Sequence, residues 1–400
     1  MTLPRLFKIK GKIQHYAWGG TEFIPRFLGI ENREDRPFAE LWFGAHPAAP
    51  SEALIDGAPQ PLDRLIGKHP FLLGRRVHKR FGRLPFLLKV LDARDMLSIQ
   101  VHPSKKQAEE GFVKENAAGI PLNSPQRNYK DDNHKPEMHL PLTDFWMLHG
   151  FRAEQEVRYL LESVWAWSGL REIYAGGGIE GLYRRIMTAE QSEIDAWLSP
   201  LIESLRTNPP QDRDSADYWA LRAAETFPLP EGHLDRGIFS VYLLNLLHLR
   251  PGEGTFQDAG VPHAYLHGTT IELMAASDNV LRGGLTPKFV DVDELLRTVV
   301  YRTGRPQILR NERLSSVEQR FLTPTEDFQL TRLLLNAGES FRKTGNGPCI
   351  GLVYRGNVEI KGDLVVLSLQ RGEAFFLADG VQAELTALTS AELFLAGVPV

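Results

Sequence analysis

Cysteine is nearly absent from this 400-residue chain, where Cys349 stands alone. A single cysteine excludes an intrachain disulfide framework and any cysteine-based zinc site, and it fits a reducing compartment. Neither sign of charge is in excess. Lys plus Arg number 46 against 50 Asp plus Glu, a net charge of -4, which argues against a dedicated nucleic-acid binder. No run of eighteen apolar residues occurs, and the start M-T-L-P-R-L-F-K-I-K has no long apolar core of a signal peptide. The expectation is a soluble cytoplasmic protein with a small-molecule partner and no nucleic-acid or membrane partner. Any metal must be held by His, Gln and carboxylates.

What the chain does have is turn formers. Gly 35 and Pro 26 favour many turns and short strands, and 400 residues exceed one typical core, so two or three domains are expected. Residues 1 to about 150 read as an all-β unit with long loops, including the apolar run Leu84–Leu91. From Phe151 to about Asp235 the period changes to helical, with Val157, Leu160, Leu161 and Val164 on one face. Within this stretch Gly176, Gly178 and Gly181 match G-x-G-x-x-G, but no strand precedes them, so a dinucleotide site is set aside. Ile238–Leu249 reads as a long apolar strand, Asp291–Val300 as a helix, and the basic stretch Gly74–Arg83 as a solvated loop.

Three segments carry polar residues in strand-like alternation. In Met96–Pro103, Ser98, Gln100 and His102 share one face while Leu97, Ile99 and Val101 share the other. In Asn128–Leu140, Glu137 and His139 share a face beside Lys135, and position does not choose between them as a ligand. In Pro251–Tyr265, a Pro-Gly turn, a short strand and G-V-P-H would turn His263 inward beside Tyr265. The loop clusters Gln14–Gly20 and Ala39–Pro47, with Trp and Glu between glycines, suit pocket walls. Arg371–Ala383 aligns without gaps on Pro251–His263, setting Gly372 on Gly252, Glu373 on Glu253, Gly380 on Gly260, and Ala383 on His263. The C-terminal unit is therefore expected to repeat the β motif without its metal-binding residue.

With Glu137 as the carboxylate, Gln100, His102 and His263 complete a mixed N/O set suited to a divalent metal such as zinc. One carboxylate leaves the site positive, and Lys135, Arg282 and Lys288 add cations that would fit a phosphate.

These motifs carry a resemblance. S-I-Q-V-H-P-S-K, D-x-N-H-K-P-E, G-V-P-H-A-Y and E-L-M-A-A-S-D-N-V-L-R-G-G-L-T-P-K, in that order, resemble the type I phosphomannose isomerases, a zinc-dependent cupin family, from Gln14 to about Val292. The resemblance implies one zinc per chain on Gln100, His102, Glu137 and His263, which favours Glu137 over His139. It implies an essential Arg282 and pocket residues at Trp18, Glu40, Ser98, Lys135, Tyr265, Glu272, Asp278 and Lys288. It also implies interconversion of mannose 6-phosphate and fructose 6-phosphate by a monomer. Proton transfer between C1 and C2 would then use Glu272 or Lys135, with His134 or Asp278 next in line. The implied fold is mainly β: a jelly-roll cupin catalytic domain (1–150 and 236–320), an inserted helical domain (151–235) and a degenerate cupin barrel (321–400). Departures from the family pattern fall at Gln257-Asp258 and at Gly283, where local packing is the expected consequence. A non-catalytic sugar-phosphate sensor would be expected to lose Arg282 or a ligand, and an iron-dependent cupin oxygenase would not be expected to use Gln100.

Overall fold

Thirteen residues from His263 to Ala275 form the longest strand, long enough to meet several partners. It pairs antiparallel with Phe86–Ala93, Glu137–Pro141 and Phe145–Phe151, and at His263 with Gln100. The computed structural model describes residues 3–55 and 58–399. Phe86–Ala93 and Glu137–Pro141 are buried along their whole length, the charged side chains of Lys89, Asp92 and Glu137 included. Glu40–Gly44 and Lys12–Gln14 extend this sheet on one side and Leu244–Leu249 on the other.

A nine-stranded sheet and a four-stranded sheet, built mainly from the C-terminal third, share one apolar core with the back of the first sheet. This nine-stranded sheet also takes in Leu6–Lys10, paired with Ala374–Leu377, then Glu52–Ile55, and at its far edge Asn311–Arg313. It thus draws strands from segments expected to belong to residues 1–150 and 236–320. The ladders stay open at their edges among the described residues.

Helices fill the interval between Phe145–Phe151 and Leu244–Leu249: Glu154–Ser163, Leu170–Met187, Gln191–Thr207 and Ala216–Thr226. They close around the buried Trp167, Tyr183, Leu198 and Trp219. Gly176, Gly178 and Gly181 lie inside Leu170–Met187, which is kinked at Gly178 (φ 57, ψ -156), so these glycines form no phosphate loop. No described helix is long and apolar enough to cross a membrane.

Three local expectations need correction. The run Ile238–Leu249 is half helix (Ile238–Leu243) and half strand (Leu244–Leu249), because a largely apolar run carries neither period; Phe239 packs tilted against Trp167 of the helical layer, ring centroids 5.0 Å apart. Gly74–Phe81 is a helix rather than a solvated loop, since Val77 is buried and Arg76 Nη1 donates to the Pro399 carbonyl at 2.8 Å. Met96–Pro103 is a strand only at Gln100–Val101. Its alternation persists in part: Leu97, Ile99 and Val101 are buried and Ser98 and Gln100 half-buried, but His102 is buried as well. The backbone is pinned from two sides, with Leu97 N–H on the Tyr265 carbonyl and Ile99 N–H on that of Gly284.

The repeated motif is the same structure twice. Gly252 and Gly372 turn at φ 93 and 86, Gly260 and Gly380 at φ 77 and 73, conformations that favour glycine. Glu253 accepts the Arg250 N–H at 2.8 Å, and Glu373 accepts the Gln370 N–H at 3.0 Å.

Candidate metal and substrate site

The ligand atoms of His102, Glu137 and His263 all lie within 4.8 Å of one another. Each residue is at most 2% exposed. Gln100 faces both His263 and Arg282 in the ladder, so one short strand gathers three expected site residues. His102 Nδ1 donates to the Asn279 carbonyl at 2.8 Å, and His263 Nδ1 to the Val261 carbonyl at 2.9 Å. A carbonyl can only accept, so each Nδ1 carries a proton, and in the neutral ring each Nε2 presents its lone pair. Both Nε2 atoms are buried without a hydrogen-bond partner, at 3.3 and 3.5 Å from the two Glu137 oxygens. Two lone pairs aimed at a buried carboxylate repel it unless a cation lies between them. The donor set therefore fits zinc. Burial, reinforced by the Lys135 cation, lowers His102 to about 4 and keeps it neutral, as a ligand must be. Burial opposes charge on Glu137, but the Lys135 cation outweighs it and holds its carboxyl well below the usual range.

Beside this cluster the Tyr265 hydroxyl is a hub. It donates toward Glu137 Oε2 at 2.7 Å, with Glu272 Oε1 at 3.1 Å, and lies 2.7 Å from His139 Nε2 and 3.3 Å from Gln257 Nε2. If His139 and Gln257 fill its two lone pairs, its single proton is directed to the carboxylates. Glu137 and His139 share a face as the alternation requires, yet Glu137 meets His102 and His263 while His139 groups with Glu137 and Glu272. Gln257 therefore reaches further than local packing. The departure at Gly283 is a packing matter, since a Cβ there would sit 3.1 Å from Ile99 Cγ2 and from the Tyr183 hydroxyl.

Lys89 belongs to the site although no sequence motif marks it. It is 6% exposed, opposite Glu272 and Trp42 in the ladders, with Nζ 2.5 Å from Glu272, 3.7 Å from Glu40 and 5.2 Å above the Trp42 ring. Burial disfavours its charge, but Glu272 and Glu40 outweigh it and raise its pKa. Against burial, the same lysine lowers Glu272; burial prevails at Glu40, which is raised and accepts the Trp42 Nε1–H at 2.6 Å. The one signal in the sequence is a lone lysine in the run L-P-F-L-L-K-V-L, which a fully buried strand must pair.

The remaining expected residues differ in burial and in partners. Lys135 Nζ lies 3.1 Å from Glu137. Arg282 is half-buried, its pKa lowered by burial. Lys288 is largely exposed, and partial desolvation with repulsion from Arg282 and Lys130 lowers its pKa. Asp278 pairs with His46 Nε2 at 3.4 Å; burial works against its charge, yet His46 brings it down to about 2. Trp18 stacks on Tyr16 and packs against the cluster containing Tyr265. Ser98 is half-buried beside Gln100. His134 is turned elsewhere: its Nε2 bonds Asp327 at 2.8 Å, and it lines a separate cavity of about 890 Å³ with Arg80 and Glu326.

The phosphomannose isomerase type I catalytic domain matches residues 6–154. The mannose-6-phosphate isomerase of Escherichia coli (strain K12) is 37% identical over 385 residues, 93% of this chain and 94% of that protein. The chain belongs to the type I phosphomannose isomerases. Within that family the Homo sapiens mannose-6-phosphate isomerase is 35% identical over 326 residues, 75% of this chain and 74% of that protein. The crystal structure of mannose 6-phosphate isomerase from Salmonella typhimurium bound to substrate (f6p) and zinc is similar at a TM-score of 0.88 and 34% identity, over 99% of this chain and 100% of that one. The mainly β cupin architecture with its helical insertion is thus the family's own.

Proposed function

We propose that this chain is a zinc-dependent aldose-ketose isomerase interconverting mannose 6-phosphate and fructose 6-phosphate. The carrying observation is the pair of buried imidazole lone pairs facing one buried carboxylate, in a chain whose relatives with that name align over nine-tenths of its length. Gln100, His102, Glu137 and His263 would hold one zinc ion. Zinc, when bound, supplies a Lewis acid for the substrate carbonyl.

The chain's own groups account for the rest. Moving the carbonyl between C1 and C2 requires removal of a carbon-bound proton and leaves an enediolate. Arg282 places a fixed, partly desolvated cation for that charge, and Lys288 extends the positive rim toward the phosphate. Glu272 or Lys135 would carry the proton. Glu272 is held ionised between Lys89 and Tyr265, and Lys135 sits on Glu137. Trp18, Glu40, Ser98, Tyr265 and Asp278 form the walls that orient the sugar and exclude water. The working unit is a monomer in the cytoplasm, which light scattering and fractionation test.

Stripping the protein with a chelator should abolish conversion of mannose 6-phosphate to fructose 6-phosphate, and zinc should restore it. Absence of turnover in the zinc-loaded protein, or restoration by iron alone, overturns the reading.

A further inference from the structure

Two loops meet behind His102. One, residues 130–133, leads into Lys135 and Glu137; the other, residues 277–279, leads from Glu272 to Arg282. They are closed on each other by a single fully buried carboxamide, that of Asn279. Its Oδ1 accepts the N–H groups of Lys130 at 2.7 Å and Asp131 at 3.2 Å. Its Nδ2 donates to the Asp131 carbonyl at 2.7 Å and the Asn133 carbonyl at 2.9 Å. Asp131 answers from the other side: Oδ1 accepts the Ser277 hydroxyl at 2.8 Å and Oδ2 the Asp278 N–H at 2.7 Å.

The same residue's main-chain carbonyl accepts His102 Nδ1 at 2.8 Å. That bond decides which ring nitrogen of His102 is free, and no other group bonds its Nδ1 among the described residues. A carbonyl on a loop can hold an imidazole only as firmly as the loop itself is held, and here the Asn279 side chain holds it together with the Asp131 carboxylate. Ser277 is 1% exposed, so this clasp works out of water.

We propose that Asn279 is a positioning residue for the metal site: its carboxamide fixes the loop whose carbonyl sets the His102 tautomer, while tying that loop to the one that delivers Glu137. This rests on the zinc reading above. A clasp that served only the fold would stabilise the protein equally with and without zinc. One that positions a ligand must change zinc affinity itself.

The test uses the full-length chain as wild type, Asn279→Ala and Ser277→Ala, with zinc affinity measured by chelator competition and thermal midpoints measured with and without zinc. Asn279→Ala should weaken zinc binding about 10- to 100-fold, the range for lost outer-shell support, and shrink the rise in midpoint that zinc gives. Ser277→Ala, which removes the hydroxyl that reaches Asp131, the Asn133 carbonyl and the Asn279 N–H but leaves the carboxamide, should do the same by a few-fold. If Asn279→Ala does not fold, the zinc affinity of Ser277→Ala decides. Zinc affinity unchanged in every folded variant, with both midpoints falling together, overturns the proposal. A wild type that binds no zinc overturns the metal reading instead.

Discussion

In the first copy of the Pro-Gly motif, His263 pairs with Gln100 and His149; in the second, Ala383 pairs with Lys343 and Gly362. The turns, the glutamate that accepts a backbone N–H and the strand that follows are alike in both. The interiors are not. Around the first copy the protein buries Glu40, Lys89, Asp92, Lys135, Glu137 and Glu272, whereas the buried charged residues described between 321 and 400 are Asp327 and Glu392 alone. Turn chemistry therefore specifies the β unit, and a separate set of inward residues specifies the chemistry. One unit fills its interior with packing, the other with paired charge.

The comparison is most directly broken by making the first copy resemble the second. His263→Ala should remove the bound zinc and take turnover to background, read by metal analysis and an isomerase assay. The reverse change, Ala383→His, should add no zinc, because its ladder partners Lys343 and Gly362 supply neither a carboxylate nor a second imidazole. Next in size is Arg282→Met, which should keep zinc and lower kcat by about 10²–10³-fold, since on the proposed reading it removes a cation that would face charge developing in the reaction. Glu272→Gln and Lys135→Met should both retain zinc, but only one should abolish exchange of the substrate C2 hydrogen with solvent, with a rate loss of about 10²–10⁴-fold. Exchange surviving in both would move the base to Asp278, because His134 faces Asp327.

The smallest effect concerns the cost of a charged interior. Asp92 is 8% exposed, and burial pushes its carboxyl up to about 6 from 3.8 despite the bond from Thr269 Oγ1. Between those values the folded state keeps a proton that the unfolded chain has released, so this group's contribution to stability is lost as pH rises through that window. Asp92→Asn should gain on the wild type as pH rises from 4 to 7, by about 2–3 kcal/mol, and no further above it. Parallel denaturation curves at pH 5 and pH 8 check this; an equal gain at both pH values contradicts it.

Much of this is legible in the chain itself, for reasons that also mark the limits. Gly252, Glu253 and Gly260 announce the motif because positive-φ turns and a backbone-accepting carboxylate require those residue types, and the second copy repeats them. His102, Glu137 and His263 are visible as polar residues in strand-like or turn motifs, with the family resemblance choosing Glu137 over His139. Lys89 stays hidden because its partners, Glu272 and Glu40, lie on other strands and only the ladder brings them together. Gln257 looks like a packing change because nothing local says that its amide reaches Tyr265. Ile238–Leu249 misleads because apolarity alone does not distinguish a buried helix from a buried strand. Pairing that crosses the chain is what the one-dimensional pattern hides.

The central claim, that one of the two motif copies holds the metal, is tested most directly by the zinc content of the purified full-length protein. It predicts one zinc per chain in the wild type and none in His263→Ala. Two per chain, or zinc retained after His263→Ala, would contradict it.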